Sequence, residues 1–247
     1  MAKFFRRVRL MSLGKGRLSK YLLYALGEIL LVVAGILIAL QINNWNEARK
    51  NYELETSILI EIREGLESDL SDISYNMGSH QMILESQKAI IDWLNSSDPY
   101  TDTLSYHFAR SNHSTVFVSK DAPYESLKQM GIRLIKNDSL RKMIADVYDL
   151  RFDYYRDHVK MYNGMVLEKG WIDVNSQYFP GTKVMFSNPK NRMKPLDIEK
   201  IREENTYRHF ITSAHTFNEF YTNRIMRRAQ QGAESLLNML DNEIKHR

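Results

Sequence analysis

Glu28 lies inside YLLYALGEILLVVAGILIALQI (21–42), where Gln41 is the only other strongly polar side chain. A carboxylate within a membrane-spanning helix costs about 2.5–3.5 kcal/mol, so its presence there calls for a role. At helical spacing Glu28 shares a face with Tyr21, Tyr24, Gly35 and Ala39. Gly35-x-x-x-Ala39 is a small-x-x-x-small pair, which lets a second helix approach closely. The chemistry this predicts is a polar clamp, either two carboxylates sharing a proton between copies or one carboxylate bonded to a partner's membrane helix. The plainer alternative is that Glu28, roughly 12 Å beyond Lys20 along a helix, reaches the headgroup layer and does little more. A single helix builds no proton pathway.

Other reactive side chains are scattered. Seven His occur, at 80, 107, 113, 158, 209, 215 and 246, with no His-Glu-x-x-His. His209 and His215 are six apart, so they leave one helix in different directions. His80 and His158 fall on apolar stripes and are expected as core histidines, so no metal site is predicted. Ser139-Leu-Arg-Lys142 matches Ser-x-x-Lys without the companion motifs of serine acyl-transferases, and helix capping after Asn137-Asp138 explains it better. Gly14-Lys15-Gly16 lacks the spacing of a phosphate loop. No catalytic or cofactor-binding residues are assigned. Tyr148, Phe152, Tyr154, Tyr155 and Tyr162, with Phe210, Phe217, Phe220 and Tyr221, read as the core of a helical bundle. The alternative is a pocket for a small anionic or aromatic ligand around Arg151, Tyr155 and His158.

The elements that must position these residues follow from the prolines, at 99, 123, 180, 189 and 195. They leave three long blocks, 1–98, 124–179 and 196–247, free of helix breakers. In the first, Leu59, Ile62, Leu66, Leu70, Ile73, Met77, Leu84, Ile91 and Leu94 recur at helical steps, and no strong breaker separates them from Ile42. The connector 96–123 holds a short helix from Thr101 or Asp102 to about Arg110, then Ser114–Ser119, which is β-like in composition but too short for a sheet. Asp121 and Pro123 start another short helix that ends at Gly131. The second stripe, from Asn137, is Leu140, Ile144, Val147, Tyr154, His158, Met161 and Met165, fraying at Gly164 or Gly170. The third is Tyr207, Phe210, Ala214, Phe217, Tyr221, Ile225, Ala229, Leu236, Leu240 and Ile244. Three such stripes must bury one another, which predicts an all-α protein, an N-terminal membrane helix continuing into an elongated antiparallel bundle.

At about 1.5 Å per residue, 21–42 spans roughly 33 Å, enough for a bilayer core of about 30 Å. The net charge of +4 is uneven: the first twenty residues carry +7, leaving −3 for the rest. The predicted partner of that basic arm is the anionic lipid headgroup, not nucleic acid, since no basic stripe follows. Seven Lys or Arg precede the apolar run and only Arg49 and Lys50 closely follow it. That bias predicts a cytoplasmic N-terminus and an exported domain, 43–247, with Trp45 at the interface. No small-x-small cleavage site follows the run, so it is expected to stay as an anchor. With no Cys, disulfides, thiolate metal sites and a lipidated Cys are excluded.

The segments MAKFFRRVR and LSKYLLYALGEILLVVAGILIALQINNWNE, with PYESLKQMGIRLIKNDSLRKMIADVY downstream, resemble a single-pass membrane-protein family of Bacteroidota that has no assigned activity. The resemblance implies an inner-membrane anchor with a helical periplasmic domain and carries no site residues. The function expected is a non-enzymatic interaction or scaffold module, self-associating or bound to a membrane protein through Tyr24, Glu28, Gly35 and Ala39. The alternative is a ligand-sensing domain that signals through a membrane partner.

Overall fold

The computed structural model describes residues 18–180 and 192–247, all helices, turns and extended connections with no strand among them. The basic arm before residue 18, and residues 181–191 of a second connector expected near 180–195, lie outside the described residues. The chain divides into two compact units, Met1–Glu55 and Thr56–Arg247. Helix α1 (Leu18–Leu94) contributes to both.

In the N-terminal unit every side chain from Leu22 to Ile42 is exposed except Ala25, which is half-covered. α1 is the one described helix long and apolar enough to cross a membrane. Beyond Ile42 its side chains turn polar, with an Arg49–Glu53 ion pair one turn apart at 3.5 Å.

The C-terminal unit is a bundle of three long helical runs. The first is α1 from residue 56. The second, 138–178, comprises α4 (Asp138–Ala145), a π-helical segment (Asp146–Phe152), α5 (Asp153–Asn163), a second π segment (Gly164–Asn175) and α6 (Ser176–Tyr178). After α7 (Ile198–Glu203), the third run comprises α8 (Asn205–Phe220), a π segment (Tyr221–Met226) and α9 (Arg227–Lys245). Arg63 bonds Asp241, His80 bonds Asn218 and Arg208 bonds Asn95, so the third run descends as α1 ascends. The same reversal relates it to the second run, because α9 packs on α4 and α8 packs on 164–175. The first and second runs are therefore parallel.

Two parallel helices require the connector to return along the bundle, and it does. α2 (Asp102–Ser111) ends where the Ser111 carbonyl accepts from Gln87. The Val116 carbonyl then accepts from Asn76, and the Lys120 N–H donates to Asp69 at 2.8 Å. From Gln87 to Asp69 is about 27 Å of helix, and nine residues cover it only if nearly extended, at about 3.3 Å each. The β-like Ser114–Ser119 thus serves as a strap. Thr115 and Phe117 turn inward, Val116 and Val118 outward. Gly65 lets the strap lie close, since a Cβ there would stand 3.1 Å from the Lys120 carbonyl oxygen. α3 (Ala122–Met130) ends at Gly131, whose φ of +98° disfavours any other residue. The Asn137 carboxamide accepts from Leu140 N–H at 3.1 Å and caps α4. That role was expected of Ser139, which instead sits in the first turn.

The main core joins Leu59, Ile62, Leu66 and Ile73 of α1 to Leu140, Ile144, Val147, Phe152 and Tyr155, and to Ile225, Ala229, Leu236 and Leu240. A second core at the other end gathers Ile90, Trp93 and Leu94 with Phe108, Tyr178, Phe179, Tyr207 and Ile211. The stripe of the second run differs from its expected phase. Leu140, Ile144 and Val147 are buried, but Tyr154 and Met161 are exposed and His158 is half-exposed. The buried set continues as Tyr148, Phe152, Tyr155, Val159, Tyr162 and Val166. The π segment adds one residue to a turn, so every later position moves on by one. Nor does the run fray at Gly164 or Gly170; it continues to Tyr178. Gly170 allows close packing, since a Cβ there would overlap the Phe210 ring.

Candidate functional site

On the apolar part of α1, Tyr24, Glu28, Gly35 and Ala39 occupy one exposed face at spacings of four, seven and four. A Cβ built on Gly35 meets nothing within 4 Å, so the surface there is flat and open. Among the described residues, Glu28 has no hydrogen-bond or ion-pair partner. The face combines a shallow floor with one carboxylate able to donate or accept a hydrogen bond according to its protonation.

Arg151, Tyr155 and His158 point three ways. Arg151 donates from Nε to Asp146 at 2.5 Å and from Nη1 to the Arg228 carbonyl at 3.0 Å. Its stem lies against Gly232, where a Cβ would overlap it. Tyr155 is fully buried and stacks on Phe117 at 4.5 Å between centroids. His158 pairs with its own helix, Nδ1 to the Tyr154 carbonyl at 2.8 Å, beside the Tyr154 ring. Among the described residues, no three His, Asp or Glu side chains gather to hold a metal ion.

The site that sequence reasoning missed is a polar seam in the core. Asp69, Asn76, His80 and Gln87 of α1 are all buried. Their spacings of seven, four and seven interleave with the apolar stripe, and that heptad step was the signal available. Tyr148, Tyr155 and Tyr162 face them at steps of seven: Tyr148 feels the Asp69 charge, Tyr155 lies by Asn76, and Tyr162 meets His80 and Gln87. Burial pushes all three phenols upward.

The direction of the bonds in this seam is fixed from one end. The Ser111 carbonyl can only accept, so Gln87 presents its Nε2 to it at 3.3 Å. Gln87 Oε1 then accepts from Asn218 Nδ2 at 3.3 Å. Asn218 Oδ1 faces inward and accepts from Thr222 and, at 2.6 Å, from His80 Nδ1–H. His80 is thereby held as the tautomer whose Nε2 carries a lone pair, and that atom is buried without a hydrogen-bond partner. Tyr162 and Tyr221 stand edge-on to the imidazole, centroids 5.3 and 5.0 Å away. Burial lowers the His80 pKa to about 4, with Asn218 opposing and the charge of His113 adding. Asp69 shifts the other way, raised by burial to about 6 against the Lys120 N–H.

A family described as "Family of unknown function (DUF6090)" matches residues 28–202. No curated protein and no solved structure matches the chain.

Proposed function

The chain belongs to the family of unknown function DUF6090, and from that premise we propose that it is a membrane-anchored, non-enzymatic helical module that acts by protein–protein contact. The observation carrying this reading is the bare apolar length of α1. Leu22 to Ile42 is a continuous exposed surface, with Leu23, Leu31 and Ile38 each more than 60% accessible. Such a surface far exceeds the apolar patches that soluble monomers leave in water, and a bilayer is the solvent that suits it. Tyr21 and Tyr24 at one end and Trp45 at the other fit the two interfaces. The Lys/Arg excess before the helix supports a cytoplasmic N-terminus in the inner membrane, with 43–247 in the periplasm. It also supports anionic lipid as the partner of the basic arm.

Within the bilayer, the Tyr24, Glu28, Gly35 and Ala39 face is the proposed contact, made with a second copy or with the helix of another membrane protein. A lone carboxylate on a lipid-facing helix is costly, and pairing it across a close helix–helix contact offsets that cost. Contact is preferred to ligand sensing because the three residues do not converge: Arg151 is bonded to Asp146 and Arg228, Tyr155 is packed in the core, and half-exposed His158 bonds its own helix. The test replaces Glu28 by Leu and Gly35 by Ile together and measures crosslinking in the membrane. Association is expected to drop at least several-fold; crosslinking equal to wild type would sink the proposed face.

A further inference from the structure

The imidazole of His80 is placed where it cannot accommodate a second proton. It is fully buried, its Nδ1–H is committed to Asn218, and Nε2 carries the lone pair that a proton would take. A charged imidazolium would need an acceptor for Nε2–H and a counter-charge. In the fold Nε2 has no hydrogen-bond partner, and no packed element brings a counter-charge. Gln87 belongs to the same helix and Asn218 to α8; the π segment after α8 brings Tyr221 and Thr222, α5 brings Tyr162, and the strap brings His113, whose charge would oppose it. Among the described residues, no carboxylate acts on His80. A buried cation with one hydrogen bond and no counter-ion is among the most costly arrangements in a protein interior.

We propose that His80 is an acid-operated latch: proton uptake at Nε2 opens the contact between α1, α5 and α8 around it while the rest of the bundle stays folded. The seam favours a local response. The relay His80–Asn218–Gln87–Ser111 ties α8 and the end of α2 to α1 around the imidazole; its Nδ1–H bond survives protonation, so what forces this contact open is the bare charge at Nε2 packed against Tyr162 and Tyr221. Asp69 lies further down the helix and is held separately by the Lys120 N–H, and the Leu59, Ile62 and Leu66 part of the main core lies beyond it. π segments lie on either side of α5 at 146–152 and 164–175 and directly after α8 at 221–226, and such segments are frequent at functional sites.

The test is amide exchange on the full chain in lipid nanodiscs from pH 7 to 4.5, corrected for intrinsic rates. The reporters are segments 76–87 and 205–220, compared in wild type and His80→Gln. Linkage predicts that wild-type protection in these segments falls by up to about tenfold per pH unit below roughly 6.5. Segments 59–73 and 229–240 should hold, and the Gln variant should lose the acid response. Flat wild-type protection, or the same loss in His80→Gln, overturns the proposal. If the Gln variant does not fold, nitrogen-15 NMR of the wild-type ring decides. Protonation of His80 with the reporter amides still protected contradicts the latch, and coincidence of the two supports it.

Discussion

His80 and Asp69 take up protons with opposite consequences. The imidazole binds its proton at about 4 in the fold and near 6.5 when unfolded, so its contribution is complete above 6.5 and is lost as pH falls to 4. Asp69 binds at about 6 in the fold and near 3.8 unfolded, so it weakens the fold above 6, and that cost is recovered as pH falls towards 4. Each shift corresponds to about 3 kcal/mol, and between pH 4 and 6 the two cancel. Urea unfolding of Asp69→Asn should therefore lose about 1.4 kcal/mol per pH unit relative to wild type as pH falls from 6 to 4. His80→Gln should gain by a similar slope, and curves parallel to wild type would refute both assignments. The same scale holds a steric prediction. Gly232→Ala would meet Arg151, and such overpacking costs about 1–3 kcal/mol, whereas Gly78→Ala, with nothing within 4 Å, should be neutral or stabilising. A thermal melt of both variants checks this. Of these residues, sequence patterning placed His80 in the core correctly but could not supply its bonding, because Asn218 is 138 residues away. It placed His158 on the same kind of stripe, where the structure leaves that residue half-exposed.

At the scale of elements, that error has a single origin. An apolar count at 3.6 residues per turn runs unbroken through 138–166, whereas the π segment at 146–152 adds one residue to it. Leu140, Ile144 and Val147 stand before the insertion and are buried as the count predicts; beyond it Tyr154 and Met161 are exposed, His158 is half-exposed, and Met165 is partly buried beside Tyr162 and Val166. The insertion itself makes a prediction. Leu150 is 62% exposed, so Leu150→Ala should change stability by no more than about 0.5 kcal/mol. Deleting Leu150 should rotate Tyr155, Val159 and Tyr162 out of the core and cost several-fold more, or abolish cooperative unfolding. Equal effects in a denaturation series would show that the extra residue is not setting the register. Pro123, Gly131 and Asn137 announced their turns because proline, glycine and asparagine act locally. The strap was visible only as composition. That it must be extended follows from the parallel course of the first two runs, which no local window contains.

For the whole molecule, the long apolar helix is legible because it depends on length and composition alone; the topology proposed from its charge bias is a matter for experiment. The absence of native cysteine makes the proposed topology directly readable. A cysteine introduced at Ser126 should react with a membrane-impermeant maleimide on intact spheroplasts, and one at Ser12 only after lysis; the reverse pattern would invert the proposed orientation. The anchor face is the part of the account on which function depends. The decisive measurement is a pull-down from mildly solubilised membranes, with wild type and Glu28→Leu side by side. The account predicts a partner, or a second tagged copy of the chain, that is retained by wild type and lost or reduced severalfold by the variant. Identical recovery from the two would contradict a contact made through Glu28.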